Sequence, residues 1–314
     1  MLNRTAYECF RQAADGAAPP GISPHRLAGA EVIDAGIDST GSLAAGLWLA
    51  RLCLGGAAEV SLCPASPGHL PGGVEVSVWT DHPLSACLGA QYAGWPVQTD
   101  GYFAMGSGPM RMLRGREPLL QELGLTESGG LAVGVLESDR LPDEAVIREI
   151  ADACGVEAEG VALAVAPSTS LAGSVQVVAR SVETAMHKLH AVGFPVTSVV
   201  SGHGVAPLPP PAKPGDTIGG IGRTNDAILY GGRVSLWVDV DDQAVEAVCE
   251  AVPSCSSPDH GRPFAEIFRD YDHDFYKVDP LLFSPAIVTL YNLRTGRRWT
   301  HGRIETDVLK RSFG

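Results

Sequence analysis

No apolar run in the 314 residues approaches the roughly 18 that a membrane-spanning helix requires, which argues against a span. Lysine is scarce: 4 residues against 19 arginines, with no basic run anywhere. The formal charge is −13, and without a concentrated basic face phosphate neutralisation fails, so nucleic acid is not expected as a partner. No CxxC pair occurs. The seven cysteines (Cys9, Cys53, Cys63, Cys87, Cys154, Cys249 and Cys255) are scattered and odd in number. That argues against a disulfide framework and a zinc ribbon, and they read as small buried hydrophobes. The opening MLNRTAYECFRQAADG is amphipathic and polar and lacks an apolar signal core, so a cytoplasmic location is expected.

What is present is the balance of a compact globular protein, 45% hydrophobic and 19% charged. The length admits two modest domains or one large one. An acidic surface chiefly serves solubility but also favours a cationic ligand. The excess of arginine, alanine and glycine points to a GC-rich bacterial genome.

Helix-like and strand-like patterns alternate, and no internal repeat is seen. Val- and Ile-rich strands are expected at 29–36, 74–79, 131–136, 161–166, 196–200, 233–240 and 286–292. Helices are expected at 40–54 with Ser39 or Thr40 as cap, from Pro142 to Cys154, from Ser170 to His190, at 241–251, and at the C-terminus after a hairpin around Thr295 and Gly296. The five prolines of PLPPPAKPGD, residues 207–216, cannot continue a helix or a central strand. This loop is the expected boundary region, dividing an α/β subdomain at 1–205 from another at 206–314.

Four segments carry unusual chemistry. In YFAMGSGPMR a strand runs into a helix start at Gly106, Ser107, Gly108 and Arg111; helix-start N–H groups suit an anion or ring edge, and a plain tight turn is the other reading. In GRTNDAILYGG, Arg223, Thr224, Asn225 and Asp226 offer donors and acceptors to a heterocycle edge, or else Thr224 or Asn225 caps a helix. The stretch YDHDFYKVD (271–279) and the trio Asp239, Asp241 and Asp242 match no hard-metal loop and read as solvated loops. In the helix after SLAGS, Gln176, Arg180, Glu183, His187 and His190 share one face, so Arg180 and Glu183 are neighbours; a solvated ion pair there would contribute only about 0.2–0.5 kcal/mol.

Read in order, these segments resemble the methenyltetrahydromethanopterin cyclohydrolase family. The likeness runs through DAGID (34–38), QYAGW (91–95), YFAMGSGPMR (102–111) and SLAGSVQVVARSVETAMHKLH (170–190). It continues in GRTNDAILYGG (222–232), RPFAEIF (262–268), DFYKVDPLLFSPA (274–286) and the terminal SFG. The resemblance implies an α+β (mixed α/β) fold of two subdomains around a deep interdomain pocket, a homotrimer, and no metal or organic cofactor. It implies hydrolysis of N5,N10-methenyl-tetrahydromethanopterin to the N5-formyl form, with Glu183 as general base and Arg180 orienting it.

Substrate contacts are expected from Gln91, where the family often carries lysine, and from Gly106, Ser107, Gly108 and Arg111. Others are expected from Arg223, Thr224, Asn225, Asp226, Tyr276 and Lys277. The bacterial composition favours one-carbon oxidation, as in methylotrophy on formaldehyde. Two alternatives stand beside this reading: a methenyl-tetrahydrofolate cyclohydrolase, and a non-catalytic pterin-binding subunit of a one-carbon complex.

Overall fold

A computed structural model describes residues 1–14, 18–65, 73–275 and 277–314. Two compact units share the chain, Met1–Ala58 with Ser85–Gln176 and Glu59–Leu84 with Val177–Gly314. The strands in chain order are β1 (Ser23–Leu27), β2 (Ala30–Asp34), β3 (Glu59–Pro64), β4 (Val74–Thr80), β5 (Trp95–Thr99) and β6 (Tyr102–Ser107). After them come β7 (Ala132–Glu137), β8 (Val161–Ala166), β9 (Val199–Pro207), β10 (Arg233–Val238), β11 (Ile287–Asn292) and β12 (Arg298–Gly302). The helices are α1 (Leu2–Ala14), α2 (Leu43–Cys53), α3 (Met110–Arg114), α4 (Pro118–Glu122), α5 (Glu144–Cys154) and α6 (Leu171–Val178). In the second half lie α7 (Ser181–Ala191), α8 (Thr217–Gly231), α9 (Asp242–Glu246), α10 (Phe264–Asp270) and α11 (Thr306–Phe313). No helix of the described residues is long and apolar enough to cross a membrane.

The first unit is built on a sheet in the order β1-β2-β8-β7-β6-β5. Its centre is parallel, β8 lying between β2 and β7, and parallel strands must be covered on both faces. This explains why VALAVA of β8 is apolar and buried at every position. Val32, Leu163, Val165 and Leu136 meet Val146, Ile147 and Ile150 of α5 on one face. On the other, Ile33, Val135 and Ala164 meet Phe10 of α1 and Leu49 and Leu52 of α2.

The second unit carries the sheet β12-β11-β10-β9-β4-β3, antiparallel except for the β10–β11 pair. Here β10 and β11 alternate buried with half-buried residues, the pattern of strands with one well-covered face. Helices α8, α10 and α11 share a separate aromatic cluster that includes Phe264, Phe268 and Tyr230. The class is therefore α+β: two mixed sheets with their helices.

Several local expectations change. A division between 205 and 206 would cut β9, in which Val205 pairs with both β10 and β4 and Ala206 and Pro207 continue the pairing with β4. Strand pairing outweighs the proline signal, and the proline loop lies inside the second unit. Helix α2 is capped by Ser42, whose Oγ accepts the Ala45 N–H at 2.9 Å, because Ser39 is already tied to Asp34. Asp143, one residue after Pro142, caps α5 by accepting from Val146 N–H at 3.0 Å. The helix expected from Ser170 to His190 is two helices, broken after Val178.

Candidate functional site

In the first unit, β6 delivers Gly106, Ser107 and Gly108 to one end of the sheet. Gly108 adopts φ +95°, and a Cβ there would meet Gly134 Cα at 3.1 Å and Val133 O at 3.2 Å. Only glycine combines that backbone with so close an approach to β7. Its N–H donates to Ala90 O at 2.8 Å, which ties it to the wide π-helical turn Leu84–Gln91. The Ser107 hydroxyl lies 3.1 Å from the buried Cys53 thiol, which in turn lies 3.9 Å from Gln91 O.

Thus Gln91, Gly106, Ser107, Gly108 and Arg111 gather in one place. The helix-start N–H groups are otherwise employed than expected: those of Arg111 and Met112 bond Gly108 O and Pro109 O. Arg111 is fully buried, and its guanidinium is engaged by Glu117 and the carbonyls of Leu88, Gly89 and Ala90.

In the second unit, Arg180 is the residue before α7 and Glu183 sits in its first turn, 7% and 4% exposed. Because the helix breaks at Arg180, the face expected to run from Gln176 to His190 is not continuous. The carboxylate of Glu183 lies in the helix turn where exposed backbone N–H groups favour negative charge.

The start of α7 comes close to the sheet because β9 offers glycine at alternate positions. A Cβ at Gly202 would lie 2.7 Å from Val182 Cγ1, and one at Gly204 would lie 2.4 Å from Ser181 Oγ. Further along, the buried Lys188 amine donates to Ser256 Oγ at 3.0 Å and to Leu281 O, anchoring the helix to two 3₁₀ turns. Burial pushes this amine down to about 8, against the opposing charge of Asp279.

Neither Lys188 nor the glycine pair stands out as chemistry in the sequence. Two signals exist. Lys188 is the first lysine in the chain, set in an apolar helical stripe, and glycines two apart in a strand mark a close approach.

Helix α8 holds Arg223, Thr224, Asn225 and Asp226 in its interior, so neither Thr224 nor Asn225 is its cap; Asp216 accepts the Gly219 N–H at 2.9 Å instead. The four polar groups find local partners. Arg223 Nη1 donates to Pro210 O and Pro211 O, both at 3.1 Å. Thr224 Oγ1 donates to Gly220 O and Asn225 Nδ2 to Ile221 O. Asp226 is wholly buried and accepts the Phe264 N–H at 2.8 Å, at the start of α10. Burial pushes its carboxyl up to about 7, outweighing the bonds from Ser312 and Phe264.

Lys277 is exposed and pairs with Asp272 at 3.3 Å, while Tyr276 lies outside the described residues. The His273 ring packs edge-on against Phe268. Asp239, Asp241 and Asp242 hold Arg294 and Arg297 around the β11–β12 hairpin. Among the described residues no three His, Cys, Asp or Glu side chains converge as metal ligands. An open pocket of about 490 Å³ between Trp95 and α5 is lined by Arg114, Arg116, Arg148 and Glu149, and none of the candidate residues borders it.

The family model described as "Cyclohydrolase (MCH)" matches residues 1–313. A methenyltetrahydromethanopterin cyclohydrolase of Rhodopirellula baltica is 60% identical over 316 residues, covering 100% of this chain and 95% of that protein. A protein of the same name from Methylobacillus flagellatus is 46% identical, covering 91% of this chain and 86% of its own. Another from Methanocaldococcus jannaschii is 39% identical, covering 100% of this chain and 98% of its own.

Proposed function

The chain belongs to the methenyltetrahydromethanopterin cyclohydrolase family, and on that premise we propose that it hydrolyses N5,N10-methenyl-tetrahydromethanopterin to N5-formyl-tetrahydromethanopterin. The observation that carries the residue assignment is the burial of Arg180 and Glu183 at the start of one helix. A solvated ion pair on a helix surface would be exposed. Burying a carboxylate is expensive, and a site that does so has a use for it.

The methenyl carbon lies between two nitrogens that share one positive charge, so it is already electrophilic. Water is the weak partner. Glu183 takes a proton from water as its oxygen bonds to that carbon, an assistance typically worth about 10²–10⁴-fold. The tetrahedral adduct then opens: the bond to N10 breaks with its electron pair going to that nitrogen, the same carboxyl returns its proton there, and the adduct's hydroxyl sheds its own proton to solvent as the C=O forms, leaving the formyl group on N5. Arg180 keeps its charge throughout and orients the carboxylate or the water. Holding the reactants in place supplies most of the acceleration.

Gln91, with the glycine-rich turn at 106–108, contributes to the pterin site. The reaction needs no metal or organic cofactor in this reading, and the active form is a cytoplasmic homotrimer serving one-carbon oxidation. Methylobacillus among the relatives' sources is in keeping with a place in methylotrophy.

Glu183→Gln tests the assignment, because it removes the proton acceptor and keeps shape and polarity. Single-turnover hydrolysis should slow by about 10²-fold or more with substrate affinity altered far less. Glu266→Gln on α10 is the control and should leave the chemical step intact. A Glu183→Gln enzyme with near wild-type turnover removes α7 from the mechanism.

A further inference from the structure

The turn from Leu84 to Gln91 is a full eight-residue π-helix, a form that usually survives only as a single wide turn and often at functional sites. Something must hold it. Its last carbonyls, Leu88 O, Gly89 O and Ala90 O, all accept from Nη1 of Arg111, at 3.2, 3.0 and 3.2 Å. The Nε of the same guanidinium donates to Glu117 Oε1 at 2.9 Å, and its Nη2 donates to Oε2. The guanidinium carbon lies 5.0 Å from the ring centroid of Tyr92, the residue after the turn. Arg111 has no exposure and Glu117 almost none.

We propose that Arg111, held by Glu117, is a positioning residue: it fixes the π-helical turn so that Gln91 is presented to the substrate, and it does not touch substrate itself. This rests on the hydrolase reading given above and assigns Arg111 a different task from the ligand contact expected of it in the sequence. The physical reason lies in the charge and the shape of the side chain. Carbonyls at a helix C-terminus carry partial negative charge, which a cation offsets. The planar fork of arginine serves three carbonyls and both oxygens of a carboxylate at once, and the point charge of lysine cannot. Glu117 keeps the buried cation from standing alone.

The test uses Arg111→Lys and the isosteric Glu117→Gln, each alone and combined with Gln91→Ala, in the full-length protein. Hydrogen exchange and hydrolysis of the methenyl substrate are read on the same preparations. Exchange at 85–92 should accelerate by about tenfold or more while β7 and β8 keep their protection. Turnover of Arg111→Lys should fall by about tenfold with KM within about threefold, and adding it to Gln91→Ala should cost no more than about twofold further. Glu117→Gln should move in the same direction by less, and decides the matter if Arg111→Lys does not fold.

Exchange that rises uniformly through the unit, or losses that multiply in the double variants, would overturn the proposal. A wild type with no hydrolysis would sink the hydrolase reading alone. In that case exchange confined to 85–92 still supports the hold on the turn, and uniform exchange still overturns it.

Discussion

Glu183 and Asp226, both buried in the second unit, sit in different surroundings. Glu183 stands in the first turn of α7, where the helix itself favours its charge, and that suits a proton acceptor that must be ionised before water attacks. Asp226 is pushed by burial up to about 7 and spends one oxygen on the Phe264 N–H. Its folded value lies above the ordinary 3.8, so the folded state binds the extra proton between those values. Its contribution is fully present below about pH 3.8 and is lost as pH rises through about 7. Asp226→Asn keeps the acceptor for Phe264 and removes the titration. Denaturant melts from pH 4 to 8 should therefore show a flatter profile and a variant at least as stable as wild type at pH 8. A large rise in KM instead would mean that Asp226 recognises substrate, the role suggested by the sequence of α8.

At the scale of elements, the turn after β2 is gathered around the Asp34 carboxylate, with the Ser39 hydroxyl donating back to Asp34 O at 3.1 Å. Asp34 accepts from the N–H groups of Gly36, Ile37, Asp38 and Ser39 at 2.7–2.9 Å. Burial alone would raise its carboxyl, and the four backbone donors outweigh that, so it is held below the ordinary 3.8. A lowered carboxylate stabilises the fold above its unfolded value and loses that contribution as pH falls through its folded one. Asp34→Asn turns an NH₂ toward two backbone donors and should cost about 3 kcal/mol near pH 7, with the deficit shrinking below pH 4. Urea titrations at both pH values check this.

The approach of α7 to β9 makes a second demand. Gly202→Ala drives a methyl into Val182 and should destabilise by about 1–3 kcal/mol. Turnover should fall with it, since Val182 adjoins Glu183; unchanged turnover would show that the helix seat is not critical.

Much at this scale is legible in the sequence. The all-apolar β8 and the strand-into-helix turn at 106–111 follow from local pattern, and β8 matches its expected limits. What is not legible depends on distant partners. The break before Ser181 interrupts a helical periodicity that runs straight through it, and the π-helix at 84–91 is held from Arg111 and Glu117, beyond any local window. The burial of Arg180 and Glu183 is likewise invisible to spacing, which is the same for a solvated pair. The proline loop misleads because β9 ends at Pro207, where it pairs with Glu75 of a strand more than a hundred residues earlier.

At the scale of the molecule, the chain passes between its two units three times, at 58–59, 84–85 and 176–177. The formal charge of −13 suits a substrate whose reacting centre is a cation. Relatives that match nearly end to end come from sources as different as Rhodopirellula and Methanocaldococcus, and both bear the same name as the Methylobacillus protein. The reduced pterin and the reduced folate share the reacting rings, so preference between them must come from contacts outside the reaction centre. A tenfold preference needs only about 1.4 kcal/mol of transition-state binding. The most direct measurement is spectrophotometric hydrolysis of both methenyl carriers by the purified chain, with and without a chelator. The tetrahydromethanopterin form should be hydrolysed at least about tenfold more efficiently than the folate form, with the rate unchanged by chelation. Equal or better efficiency with the folate form, or no hydrolysis of either, would contradict the account.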